Sequence, residues 1–336
     1  MRQNNIFLML LKVFFFSSIL VATSAVRAEL KVVTTIKPLH SLIANVMDGV
    51  GEPALLIEGS TSPHSFTLKP SHAKLLEEAD IIFWVGESIE TFMERPLESI
   101  VKNAEVVEFM EVESINKLKF REESIFGDHD DHDDHDDHDE HDDHDEHDDN
   151  DDHDEHDDHS GHDDHGHGHG EFDAHIWLDP MNAKEMVHEI AHELGDLDPA
   201  NKNKYEANAQ ATIQALDQLI NDIEKGINKD AKFVVFHDAY QYFEERFETR
   251  AAGALTLNTD VLPGAKQIAD IQDVIKDRGI KCIFSEPQFN PKIITTIAED
   301  MNIKTGVFDP LGANIDSNKD LYFKLIQNLG NELKGC

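Results

Sequence analysis

Positive charge is scarce in this chain. Its 336 residues include 29 Lys and Arg against 68 Asp and Glu, which gives a formal net charge of −39 at pH 7. A surface this acidic repels the phosphate backbone of nucleic acids and attracts cations. The composition therefore argues against a nucleic-acid-binding protein.

Long hydrophobic runs are missing after the first 28 residues. Residues 6–21 form an apolar segment interrupted by Lys12, Arg2 gives it a basic start, and residues 26–28 form a small-residue cleavage site. This arrangement is typical of a secretory signal peptide, whereas a membrane anchor needs a longer apolar run. We expect cleavage after Ala28 and a mature protein that is exported and soluble.

Cysteine is nearly absent, since the chain contains only Cys282 and Cys336. An even pair in an exported protein favours a disulfide, which would fasten the C-terminus to the last domain. Closing a loop of this length would stabilise the fold by about 4 kcal/mol. The alternative, a pair of thiolate metal ligands, lacks the close spacing of zinc motifs.

The segment at residues 128–170 has no Lys, no Arg and no hydrophobic side chain. It holds 14 of the 21 histidines and 23 of the 68 acidic residues, with a histidine at nearly every third position. Because it cannot offset its ordering entropy by burial, we predict a disordered loop. An acidic solubilising run would explain the Asp residues but not the spaced imidazoles, which suit Zn, Cu and Ni. The predicted accessory metal ligands are His129, His132, His135, His138, His141, His144, His147, His153, His156, His159, His162, His165, His167 and His169.

Strand and helix patterns alternate on both sides of this segment, and a further strand is predicted directly after it, at residues 172–178. The alternation predicts an α/β protein with two lobes, each a mainly parallel sheet flanked by helices. Apolar residues spaced by three and four predict one long helix that joins the lobes as a rigid strut. The predicted domains are a signal peptide at 1–28, an N-terminal lobe at 29–198, a linking helix at 199–227 and a C-terminal lobe at 228–336.

Four side chains that can bind metal lie in loops near the ends of predicted strands. They are His64, His175, His237 and Asp309. In open α/β sheets, ligands bind at the carboxyl ends of the strands, which places a site in the cleft between the lobes. A lone His at a strand end is more often a structural hydrogen-bonding group, so position alone does not join the four into one site.

Seven segments carry a resemblance to a known family. They are IKPLHSL at 36–42, SPHSF at 62–66, KPS at 69–71, HIWLDP at 175–180, FHDAYQYF at 236–243, SEPQF at 285–289 and FDPLGAN at 308–314. In this order they closely resemble the ZnuA-type zinc-binding proteins of ABC importers. The resemblance covers essentially the whole mature chain, including a His- and acid-rich insertion and a disulfide in the C-terminal domain.

The resemblance implies a monomeric, non-enzymatic protein of the periplasm that passes Zn²⁺ to an inner-membrane permease powered by a cytoplasmic ATPase. It implies one tight zinc site between the lobes, with His64 and His175 from the first lobe and His237 from the second. Manganese-binding relatives have Glu where His237 stands, so the nitrogen donor here favours zinc. Some members have Glu before the first His, where this chain has Pro63. The fourth ligand therefore stays open between a water, Asp309 (as a ligand or a nearby charge) and a donor from the 128–170 segment.

Two other functions compete with this interpretation. Residues 188–192 match H-E-x-x-H, in which His188 and His192 would bind zinc and Glu189 would act as the general base of a metalloprotease. Helical spacing predicts that this helix buries its other face, and a His- and Glu-rich chain produces the match easily. The second alternative is a periplasmic zinc buffer or chaperone without a transporter partner. His40 remains a possible accessory ligand, since it opens a helix near a strand end.

Overall fold

The computed structural model describes residues 29–126, 171–257, 259 and 263–336. The predicted signal peptide and the predicted His-rich loop, with its accessory ligands, lie outside the described residues. Among the described residues no helix is long and apolar enough to cross a membrane.

The first lobe is built on a four-stranded parallel sheet with the strand order β2-β1-β3-β4. Three helices, α1, α2 and α3, connect its strands. The buried strands are rich in β-branched and aromatic residues, which suit a sheet covered by helices. The elements are β1 Val32–Thr34, α1 Lys37–Val46, β2 Ala54–Leu55, α2 Pro70–Glu78, β3 Ile81–Trp84, α3 Glu94–Ser99 and β4 Glu105–Glu108.

Two long helices follow, α4 at Pro180–Leu197 and α5 at Lys202–Glu224. Helix α5 packs along α4 and also contacts α1. The linking helix predicted at 199–227 is thus three residues shorter at each end. Its role as a rigid strut is not confirmed.

The second lobe repeats the architecture of the first, with a parallel sheet in the order β6-β5-β7-β8. The prediction of two parallel α/β lobes is confirmed. Its elements are β5 Phe233–His237, α6 Gln241–Arg246, β6 Ala254–Thr256, α7 Ala265–Asp277, β7 Cys282–Ser285, α8 Lys292–Met301, β8 Lys304–Val307 and α9 Leu321–Lys334. Cys282 and Cys336 form the predicted disulfide, with a Cα–Cα distance of 5.8 Å.

One predicted element is wrong. The strand expected at 172–178 is a single antiparallel bridge between Lys119 and Phe172, followed by a 3-10 turn at Ile176–Leu178. Its apolar residues suggested a strand, but every residue of 173–180 is buried. Pro180 starts α4, and the Asp179 side chain caps that helix by accepting from the Met181 N–H.

Hydrogen bonds between the lobes fix the loop that follows β8. The Lys37 ammonium of α1 donates to the carbonyls of Gly312, Ala313 and Ile315, at 2.6, 3.1 and 2.7 Å. The Trp177 indole N–H donates to the Pro310 carbonyl at 2.8 Å. These contacts seat the second-lobe loop on the first lobe, next to the ends of the strands.

Candidate metal centre

Three histidines converge at the carboxyl ends of the strands. His237 is the last residue of β5, and His175 directly precedes the turn that leads into α4. His64 is the middle residue of a short 3-10 turn at Pro63–Ser65, where the Ser62 hydroxyl accepts a hydrogen bond from the His64 N–H. The structure therefore brings together three of the four side chains that the sequence singled out, from both lobes.

The imidazoles are close enough to share one ion. One ring nitrogen from each histidine lies within 4.8 Å of the other two. The ring centroids are 5.5 Å apart for His64 and His175, 5.3 Å for His64 and His237, and 4.9 Å for His175 and His237. Zinc–nitrogen bonds of about 2.0–2.1 Å place tetrahedral ligands about 3.3 Å apart, so small side-chain adjustments suffice.

The cavity beside the three rings is small and mostly apolar. Its volume is about 10 Å³, which is about the space that one water-sized sphere occupies. Ile89, Trp177, Phe289 and Leu311 contribute to its walls. A space of this size suits a single dehydrated ion.

A carboxylate fixes the orientation of His175. The Asp173 Oδ1 atom lies 2.7 Å from His175 Nδ1 and also accepts the His175 backbone N–H at 3.0 Å. Holding Nδ1 in this way fixes the orientation of the ring and leaves Nε2 for a metal. The sequence analysis missed Asp173. An Asp side chain often accepts a hydrogen bond from the backbone N–H two residues later, so its spacing to His175 could have indicated this role.

A second carboxylate lies behind His237. Glu286 Oε1 is 3.6 Å from His237 Nδ1, and both side chains are almost completely buried. Burial opposes protonation of His237, but Glu286 and other nearby carboxylates outweigh it and raise its pKa. Because metal binding needs the neutral ring, protons compete for this ligand. Glu286 also lines the cavity.

The structure does not bring Asp309 into the histidine cluster. Its carboxylate accepts hydrogen bonds from the Gln288 side-chain amide at 3.0 Å and from the N–H groups of Leu311 and Ala313 at 3.2 and 2.6 Å. Asp309 thus organises the loop whose next residues, Pro310 and Leu311, line the cavity.

The other histidines among the described residues lie apart from the cluster. His188 and His192 are exposed on α4, and the His192 ring lies 2.9 Å from Glu193. In the described part of the chain they belong to no group of three side chains that could bind a metal. His40 is buried with Nε2 against the Pro53 carbonyl, and its pKa is lowered by burial.

Two parallel-sheet lobes with three imidazoles converging on an ion-sized cavity define a metal-binding, two-lobed substrate-binding protein. Comparisons with known proteins agree. The family model ZnuA, described as zinc-uptake complex component A, periplasmic, matches residues 32–336. The high-affinity zinc uptake system protein ZnuA of Brucella abortus is 48% identical over 307 residues, covering 91% of both chains. The protein of the same name from Yersinia pestis is 32% identical over 329 residues, covering 95% of both.

The fold also matches that of solved structures. A crystal structure of ZnuA matches with a TM-score of 0.68 at 21% identity, covering 90% of this chain and 98% of that one. The chain belongs to the ZnuA family. Members of this family are substrate-binding components of zinc ABC transporters and not enzymes, so the metalloprotease alternative is rejected.

Proposed function

We propose that this protein captures Zn²⁺ in the periplasm at a single tight site and delivers it to an ABC permease. The observation that carries the proposal is the convergence of His64, His175 and His237 within 4.8 Å. Imidazole nitrogen is a preferred zinc donor, whereas manganese favours carboxylate and water oxygen. The names of the curated relatives support zinc as the cargo.

Three imidazoles leave one position of a tetrahedral zinc ion for another donor. We propose water there, because Asp309 is already engaged by three hydrogen bonds that hold its own loop. A carboxylate bound in this way acts on the site through the loop rather than through a metal bond. Rotation of Asp309 toward the metal would have to break at least some of these bonds.

We further propose a monomer that is released after signal-peptide cleavage and works with an inner-membrane permease and a cytoplasmic ATPase. The acidic surface would raise the local Zn²⁺ concentration, most strongly at low ionic strength. The histidines of the 128–170 segment would provide several weak accessory sites. Such sites would gather zinc or sense its abundance without determining the affinity of the tight site.

Complementation of a deletion strain tests this function. A strain lacking the gene should grow poorly in medium depleted of zinc by a chelator. The wild-type gene should restore growth, and a gene with His64→Ala, His175→Ala and His237→Ala should not. A deletion strain that grows normally in the zinc-depleted medium, and is only more sensitive to excess zinc, would instead indicate a zinc buffer.

A further inference from the structure

Arg121 of the first lobe forms ion pairs with two carboxylates of the second lobe, one of which belongs to the residue next to His237 in the chain. Its guanidinium donates to Asp238 Oδ1 at 2.9 Å and to Glu244 Oε2 at 2.7 Å. Asp238 follows His237 directly in the chain, and Glu244 is on α6. The Arg121 side chain is 19% exposed, while those of Asp238 and Glu244 are 6% and 3% exposed. A planar guanidinium can bridge two carboxylates in this way, which a lysine ammonium does less well.

The backbone around Arg121 is held on both sides. Before it, the Asp173 N–H donates to the Leu118 carbonyl at 2.8 Å. After it, the Ala254 N–H of β6 donates to the Ser124 carbonyl at 2.8 Å, and the Phe126 N–H donates back to the Ala252 carbonyl at 3.1 Å. The guanidinium carbon also lies 4.0 Å from the centre of the Phe126 ring. The backbone that carries the Arg121 side chain is therefore held in place before and after this residue.

The segment at residues 118–126 contacts residues that hold His175 in the first lobe and His237 in the second. Through Leu118 it holds Asp173, whose carboxylate orients His175. Through Arg121 it holds Asp238, whose backbone continues directly from His237. A shift of the segment would therefore disturb the positions of two of the three imidazoles.

We propose that Arg121 is a positioning residue of the metal site, which holds the turn directly after His237 in register with His175. This inference rests on the proposed function and adds a residue that does not touch the metal. Removing the guanidinium leaves the buried carboxylates of Asp238 and Glu244 without their cation. They then either take up a proton or draw the turn toward water or another partner, and both responses change the contacts next to His237.

The test compares the mature wild-type protein with Arg121→Ala and Arg121→Lys. Zn²⁺ affinity is measured by competition with a chelator at no more than one equivalent of metal. The d–d absorption of Co²⁺, also at no more than one equivalent, reports the geometry of the ligands. We expect Arg121→Ala to weaken Zn²⁺ binding about 10- to 100-fold, the range typical for residues that support metal ligands, and to alter the Co²⁺ spectrum. Arg121→Lys should retain part of the Zn²⁺ affinity and part of the wild-type Co²⁺ spectrum, because it keeps the positive charge but not the planar guanidinium that bridges two carboxylates.

A control variant separates positioning from general stability. Lys184→Ala removes a cation of nearly the same exposure, 18%, whose partner Asp217 lies on α5 and is 50% exposed. It should keep the wild-type Co²⁺ spectrum.

The outcomes distinguish this inference from the proposed function. Wild-type affinity and an unchanged Co²⁺ spectrum in Arg121→Ala would overturn the inference and leave the zinc site intact, even if the variant melts earlier. If Arg121→Ala does not fold, Arg121→Lys decides by the same two measurements. A wild-type protein that binds no zinc tightly would overturn the proposed function, and the inference with it.

Discussion

The buried ammonium of Lys37 should stabilise the contact between the lobes more than any exposed ion pair at the same place. Lys37 is 5% exposed and donates three hydrogen bonds to the loop after β8. Replacing it with Met keeps the apolar stem but leaves the Gly312 carbonyl buried without its donor. The carbonyls of Ala313 and Ile315 are nearer to solvent and can regain water.

The magnitude follows from these three bonds. Leaving one buried acceptor unpaired costs about 1–3 kcal/mol, and the two partly exposed acceptors add less each. Removing the ammonium also removes the desolvation penalty of the charge, which lowers the pKa of Lys37, and this offsets part of the loss. The net loss for Lys37→Met should therefore be about 3 kcal/mol in the free energy of unfolding.

Lys319→Met is the matched control, because Lys319 joins the same two parts of the molecule. It pairs with Asp48 at 2.6 Å, but the two side chains are 47% and 54% exposed. An exposed pair contributes about 0–1 kcal/mol. Urea unfolding of the metal-free protein, followed by circular dichroism, measures both variants. Equal losses for Lys37→Met and Lys319→Met would refute the reasoning that burial, and not the number of charges, sets the strength of this contact.

Three further predictions concern other parts of the molecule. Burial raises the pKa of Glu90 from its ordinary value of 4.5 to about 7. The native state therefore binds the proton more tightly than the unfolded chain, and the free energy of unfolding should fall by about 3 kcal/mol as the pH rises from 4.5 to 7. Glu90→Gln should remove that fall from pH-dependent unfolding curves, and an unchanged slope would contradict the assignment. Replacing Cys282 and Cys336 with Ser opens a loop with a sequence separation of 54 and should cost about 4 kcal/mol in urea unfolding. Zinc affinity in calorimetry should stay unchanged, because Cys282 begins β7 and the cavity lies at the other end of that strand; a loss of affinity would contradict this separation. Glu189→Gln should leave zinc uptake unaltered in growth assays, and peptide hydrolysis that depends on Glu189 would restore the protease alternative.

The sequence predicted the sheets well because the patterns that define them are local. Buried strands such as Ile81–Trp84 are short apolar runs, and the helices between them keep an apolar face. The prediction at 172–178 failed because a buried turn and a buried strand have the same apolar residues. The length of α5 was overestimated because the apolar spacing continues to Ile227, three residues beyond the end of the helix.

The metal centre could be predicted only in part. A histidine at the end of a strand, such as His237, is visible in the sequence, but only the family resemblance joined it to His64 and His175. Asp173 could have been found from its spacing to His175. Arg121 could not, because its partners Asp238 and Glu244 lie 117 and 123 residues away and no local pattern connects them.

The central claim is that the three clustered histidines, and not the His-rich segment, form the tight zinc site. Zinc titration calorimetry tests it directly on three proteins in parallel: the mature chain, a variant lacking residues 128–170, and that variant with His64→Ala, His175→Ala and His237→Ala. We predict one tight site that survives the deletion and disappears in the triple variant. Tight binding that is lost with the 128–170 segment, or that persists without the three histidines, would contradict the account.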